Sequence, residues 1–203
     1  MTGTTLDTIL RRLARERGAK VALRYNDEVL TYADLDAHAC RVANGLAAAG
    51  VRPGDRVAWV GKNCAAYFEF LAGAVKAGAV MVPVNWRLAG PEVAYVLADS
   101  QAKFVIAEPE FAGIAAPAGG VRPLLCGGPD DGYSAWRDAQ SGRDAGHTAA
   151  WGDGLLQMYT SGTTGRPKGA VLSHRSVLGL RAAMTPETMP PWYEWAETDV
   201  SLI

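Results

Sequence analysis

Cysteine and histidine are scarce in this chain, and neither is clustered. The three cysteines, Cys40, Cys64 and Cys126, are odd in number and share no metal-ligand spacing. That excludes a disulfide framework and reads as reduced thiols of a cytoplasmic protein, buried as small hydrophobes. The three histidines, His38, His147 and His174, stand far apart and form no ligand set. An excess of one charge is also missing. The net charge is -1 with no long run of acid or base, so the chain lacks the basic face that nucleic acids or anionic membranes require. No apolar run is long and clean enough for an integral membrane span. Residues 65–84 come nearest, but they contain Glu69, Lys76 and Pro83. The opening "MTGTTLDTILRRLARERG" has no apolar h-region and carries acidic residues, so it is not read as a signal peptide. Internal repeats and low-complexity tracts are absent. What remains is a chain of 203 residues, 49% apolar, enough for one good-sized domain or two small ones with a real core.

The elements alternate. Leu6, Ile9, Leu10 and Leu13 lie at helical spacing and predict an amphipathic first helix ending at Gly18. "VALRY" and "EVLTY" flank Asn26-Asp27 as a short hairpin. Thr31 with Asp34 resembles a capping box, opening a helix whose inner face is Leu35, Ala39, Val42 and Leu46 and which stops at Gly50. "RVAWV" reads as a buried strand, "AVMVPV" as an apolar strand and "KFVIAE" as another strand. Between them lie two helices, "AAYFEFLAGAVKAG" and a segment opened by Gly90-Pro91 with Val93, Val96 and Leu97 inward. Strands alternating with helices of this length imply α/β architecture, with βαβ units and a mostly parallel sheet flanked by helices. Residues 109–153 read as looser, with "VRPLLC" as one further strand. "LLQMYT" and "GAVLSH" are strands again, the second followed by a helix that Ser173 can cap.

Between those last strands lies "SGTTGRPK", residues 161–168. Consecutive Gly, Ser and Thr residues let backbone N–H groups converge on an anion, hydroxyls add donors, and Lys168 adds a mobile positive charge. This is equipment for holding polyphosphate. It is not a Walker A loop, because Pro167 precedes the lysine, Gly169 follows it, and the loop feeds a strand rather than a helix. Nor is there a GxGxxG dinucleotide fingerprint.

The full string "YTSGTTGRPKG", residues 159–169, closely resembles the phosphate loop of the adenylate-forming superfamily. That group includes acyl-CoA synthetases, nonribosomal-peptide adenylation domains and beetle luciferases. "LTYADLDAHACRVANGLAAAGVRPGDRVAWV" and "FEFLAGAVKAGAVMVPVNWRL" are similar to its first two conserved regions. The likeness runs from about Leu6 onward and is weakest over residues 111–151. "VPVNWRL" is more similar to fatty-acyl and related CoA ligases than to peptide-synthetase domains. The resemblance implies activation of a carboxylic acid, a fatty acid first, by ATP and Mg2+ to an acyl-adenylate and pyrophosphate. Transfer to coenzyme A follows. By position, Thr160, Ser161, Gly162, Thr163, Thr164, Gly165, Arg166, Pro167, Lys168 and Gly169 are expected to hold the nucleotide phosphates. Thr160 would reach the Mg2+, and Lys168 would stabilise charge on the departing pyrophosphate. Residues 1–203 are expected to be the first part of the large AMP-binding domain, with the rest of that domain and a C-terminal lid outside this chain. The chain alone is then expected to be inactive and to self-associate. An amino-acid or aryl-acid adenylation domain, and a nucleotide-binding module without chemistry, are the alternatives.

Other candidates carry less. Asp130-Asp131 and Glu108/Glu110 sit beside Pro and Gly and read as solvated loop carboxylates. His174 and Cys64 read as structural. "MPPWYEWAE" either lines an acyl tunnel or packs on the surface, the second being favoured.

Overall fold

The computed structural model describes residues 4–115, 121–129, 131–160 and 166–183. The predicted elements are found in order, with two short helices added between residues 109 and 153. Helix α1 (Leu6–Arg17) precedes the hairpin β1 (Val21–Tyr25) and β2 (Glu28–Thr31). The antiparallel pair turns at Asn26, which takes φ 51°. Helix α2 (Tyr32–Ala48) opens with the capping box that Thr31 and Asp34 predict. The Asp34 amide donates to the Thr31 hydroxyl at 3.2 Å, and the Thr31 amide donates back to the Asp34 carboxylate at 3.0 Å.

Then follow β3 (Arg56–Val60), α3 (Ala65–Lys76), β4 (Val80–Val84), α4 (Gly90–Ser100) and β5 (Phe104–Ala107). A short α5 (Ala112–Ala115), β6 (Leu124–Leu125) and α6 (Gly132–Asp138) lead to β7 (Gly154–Thr160), β8 (Lys168–Ser173) and α7 (His174–Ala183). Among the described residues the main sheet has six strands in the order β6-β5-β3-β4-β7-β8. All its pairings are parallel except β7 with β8.

Strand alternation sends successive side chains to opposite faces, and the core divides accordingly. Val57 and Trp59 of β3, Met81 of β4 and Ile106 of β5 pack under α2 and α3. Ala58, Val60, Val82, Val84, Val105 and Ala107 pack against α4. Adjacent strands β3 and β4 thus send their following helices to opposite faces. Their carboxyl ends part there, the usual place for a ligand crevice in an open α/β sheet.

Parts of the reading need correction. Residues 109–153 are not merely loose, since they contain α6, which buries Tyr133 completely and packs Trp136 on the core. Asp131 is not a solvated loop carboxylate but the cap of α6, accepting from the amides of Tyr133 at 3.0 Å and Ser134 at 3.3 Å. Asp130 lies outside the described residues. In α1 the four apolar side chains are half-buried, and the fully buried residue is Asp7, which Arg11 pairs at 2.7 Å.

Candidate functional site

The string expected to hold polyphosphate starts where β7 ends and finishes where β8 begins. Thr160 closes β7 and Lys168 opens β8, and the two are Cα partners in the antiparallel ladder. Directly opposite residues of such a pair share one face, so the hydroxyl and the ammonium stand together at the loop's mouth, both exposed. Ser161, Gly162, Thr163, Thr164 and Gly165 lie outside the described residues. Arg166 is exposed, with its guanidinium 5.7 Å from the Tyr95 ring centroid. Pro167 is half-buried, and Gly169 pairs with Tyr159. A Cβ at Gly169 would lie 2.6 Å from Gln157 Nε2 and 2.8 Å from Tyr159 Cζ. A side chain after the lysine would therefore have to displace the Gln157 amide and the end of the Tyr159 ring.

Because β7 runs parallel to β4, the loop leaves from the carboxyl edge of the sheet. The same edge carries a feature that the sequence reading missed. Lys62, just after β3, holds its ammonium 5.4 Å from the Trp86 ring centroid and 2.8 Å from Glu110. The Arg87 guanidinium lies 4.3 Å from the Trp86 centroid. The Lys62 amide donates to Glu108 at 2.8 Å, so Glu108 and Glu110 each bind Lys62 rather than form an acid–base pair. The signal was present in the cation–aromatic sequence Trp86-Arg87, whose partners are distant in the chain.

Three further candidate groups, Cys64, His38 and His174, have settings that do not suit chemistry. Burial pushes the Cys64 thiol up to about 11, the wrong direction for a nucleophile. His38 is not isolated, since its Nδ1 donates to Glu69 at 2.7 Å. His174 is buried, and its Nδ1 accepts the Leu6 amide at 3.1 Å, the structural role expected of it. "MPPWYEWAE" and the final "TDVSLI" lie outside the described residues.

Among the described residues no group of three or more His, Cys, Asp or Glu can hold a metal ion. A nucleotide-borne Mg2+ needs little from the protein, because it keeps phosphate oxygens and waters as ligands. The exposed Thr160 hydroxyl is a hard oxygen of the required kind and fits that role. No helix among the described residues is long and apolar enough to cross a membrane.

Comparison with known proteins agrees with this architecture. The AMP-binding enzyme family model matches residues 10–203. A fatty acid–[acyl-carrier-protein] ligase, ScoC, from Streptomyces coeruleorubidus is 40% identical over 86% of this chain and 34% of its own length. A feruloyl-CoA synthase from an Amycolatopsis species is 46% identical over 80% of this chain and 32% of its own. Among solved structures, a Mycobacterium tuberculosis fatty acyl CoA synthetase superposes with TM-score 0.74 at 33% identity, covering 86% of this chain and 35% of that one. The chain spans about a third of the length of the curated relatives it matches.

Proposed function

The chain belongs to the AMP-binding enzyme family, and from that premise we propose that it forms the first part of the large domain of an ATP-dependent acid–thiol ligase. The observation that carries the reading is the string of residues 159–169 with Thr160 and Lys168 paired across its mouth. The loop would wrap the β- and γ-phosphates of ATP, with backbone N–H groups and hydroxyls as donors. A carboxylate oxygen of the acid attacks the α-phosphorus, and the bond from that phosphorus to pyrophosphate breaks. Negative charge grows on the leaving pyrophosphate, where the Lys168 ammonium stabilises it. A bound Mg2+ would neutralise phosphate charge, with the Thr160 hydroxyl as its protein ligand. In the second step the thiol sulfur of coenzyme A attacks the acyl carbonyl, AMP leaves, and the thiol proton passes to solvent.

The acid proposed first is a fatty acid, supported by the ScoC likeness and the "VPVNWRL" stretch. An aryl acid is the second reading, supported by the 46% identity to a feruloyl-CoA synthase. A cytoplasmic setting suits both, with ATP and coenzyme A as substrates and Cys40, Cys64 and Cys126 as free thiols.

The test is product analysis of the protein that carries this chain. It is incubated with ATP, Mg2+, coenzyme A and a panel of fatty, aryl and amino acids. Release of AMP and the mass of an acyl-CoA, largest with fatty acids, is the expected result. A preference for aryl acids selects the second reading. AMP release with amino acids alone, or none with any acid, overturns both.

A further inference from the structure

The stems of the phosphate loop are anchored on one face of α4, on residues outside the loop itself. On the β7 side, the Tyr159 hydroxyl donates to Asp99 Oδ2 at 2.6 Å and accepts from Gln157 Nε2 at 2.9 Å. On the β8 side, the Arg166 guanidinium lies over the ring of Tyr95. Tyr95 and Asp99 are spaced i,i+4 in α4, which places them one above the other on the same face.

The helix they stand on is itself fixed. Val93, Val96 and Leu97 are buried beneath it, and the Glu92 carboxylate caps its first turn by accepting the Ala89 amide at 2.8 Å. Among the described residues β8 is the last strand of the sheet and residues 168–171 are exposed, so within the sheet the loop end of β8 is held by β7 alone.

Core packing does not account for these contacts. Asp99 and Arg166 are both exposed, so neither contributes apolar burial. The Tyr159 ring does pack on the second core face, but a phenylalanine would serve there equally. Burial, followed by the bond to Asp99, raises the Tyr159 pKa. The phenol therefore remains a neutral donor at any working pH.

We propose that Tyr95 and Asp99 are positioning residues for adenylate formation. They hold the two stems so that Thr160 and Lys168 meet the nucleotide phosphates in the geometry of the transition state. The inference rests on the reading given under Proposed function and deepens it. Neither residue touches phosphate or acid. Both act through Tyr159 and Arg166. Misplacement of a catalytic group by about 1 Å costs on the order of 100-fold. Loosening one of two anchors should cost less, about tenfold.

The experiment uses the protein that carries this chain, with Asp99→Ala, Tyr159→Phe and Tyr95→Leu as disrupting variants. Asp99→Asn, which still accepts a hydrogen bond, and Tyr95→Phe, which keeps the ring face, are the conservative pair. Acid-dependent exchange of pyrophosphate into ATP is measured, together with amide hydrogen exchange at Thr160 and residues 168–170. The disrupting variants should lose about tenfold in kcat, with the KM for the acid changed less than about threefold. Their amides at those positions should exchange faster. The conservative pair should stay within about threefold of the parent in kcat. An active parent whose Asp99→Ala and Tyr95→Leu variants keep full kcat would overturn the inference, as would a loss confined to KM for the acid. If the parent shows no acid-dependent exchange, the ligase reading is what fails. The anchoring is then decided by the amides alone, and unchanged exchange in Asp99→Ala and Tyr95→Leu overturns it.

Discussion

His174 Nδ1 can accept the Leu6 amide only while it carries no proton. Burial lowers its pKa below the ordinary histidine value. The sign follows from proton linkage. A histidine depressed in the folded state binds fewer protons there than in the unfolded chain. Its contribution is complete above about pH 6.5 and is lost as pH falls below that value. Two carboxylates act lower. The Arg11 and Lys76 bonds outweigh burial and hold Asp144 well below the usual carboxylate range. At Glu69 burial acts upward, but the bonds from His38 and Arg137 prevail and lower it. Their contributions are present above about pH 4 and vanish as pH falls through the depressed values. The expected thermal midpoint is therefore level near pH 8, declines from about pH 6.5, and drops again below about pH 4. His174→Asn should flatten the first decline and leave the second. A wild-type midpoint that is constant between pH 7 and 5 would refute the role given to His174. That His174 is structural was legible from its place after a strand. Its partner was not, because Leu6 is 168 residues away.

Gly73 of α3 faces Val42 of α2, and a Cβ there would meet Val42 Cγ1 at 2.3 Å and Cβ at 2.4 Å. Val42 is fully buried in the first core face, so it has no room to yield. Gly73→Ala should cost about 1–3 kcal/mol through overpacking, a fall of roughly 2–12 °C in a chain of this size. Differential scanning fluorimetry would detect it, and an unchanged midpoint would show that the helices separate freely. At this scale the sequence was informative where a period or a local motif repeats. The Thr31–Asp34 box and the apolar strands β3, β4 and β5 depend on neighbours a few residues apart. α6 was missed because it spans only Gly132–Asp138, opens on a glycine, and takes its cap from an aspartate that looks like a loop residue. The buried ion networks were missed for a different reason. Lys76 is 1% exposed and pairs Asp36 at 2.8 Å and Asp144 at 2.7 Å. Arg137 reaches back to Glu69 at 2.7 Å. In the sequence Glu69 and Lys76 spoke only against a membrane span, since separation along the chain hides the partners that make their burial tolerable.

At the scale of the whole molecule, β8 is the edge strand among the described residues, and its Val171 is 57% exposed, with Met158 of β7 at 40% and Val177 of α7 at 41%. Unpaired edges with apolar side chains promote association. The 203-residue chain should therefore self-associate at micromolar concentration, of the order that burial of a few side chains supports. Light scattering over a dilution series would check this, and a monomer at high micromolar concentration would contradict it. At the molecular scale the α/β class was legible, and so were the two strands that flank the string of residues 159–169, because these are local patterns. The Lys62–Trp86–Arg87 cluster was not, because strand order alone brings it to the loop's edge of the sheet. The central claim is that Lys168 serves the departure of pyrophosphate. The measurement that tests it most directly is acid-dependent pyrophosphate exchange at saturating ATP, comparing the protein that carries this chain with its Lys168→Ala variant. Loss of a charge-assisted hydrogen bond worth about 1.5–3 kcal/mol predicts a fall of about 10- to 150-fold, with the KM for the acid little changed. An exchange rate that survives the substitution intact would contradict the account.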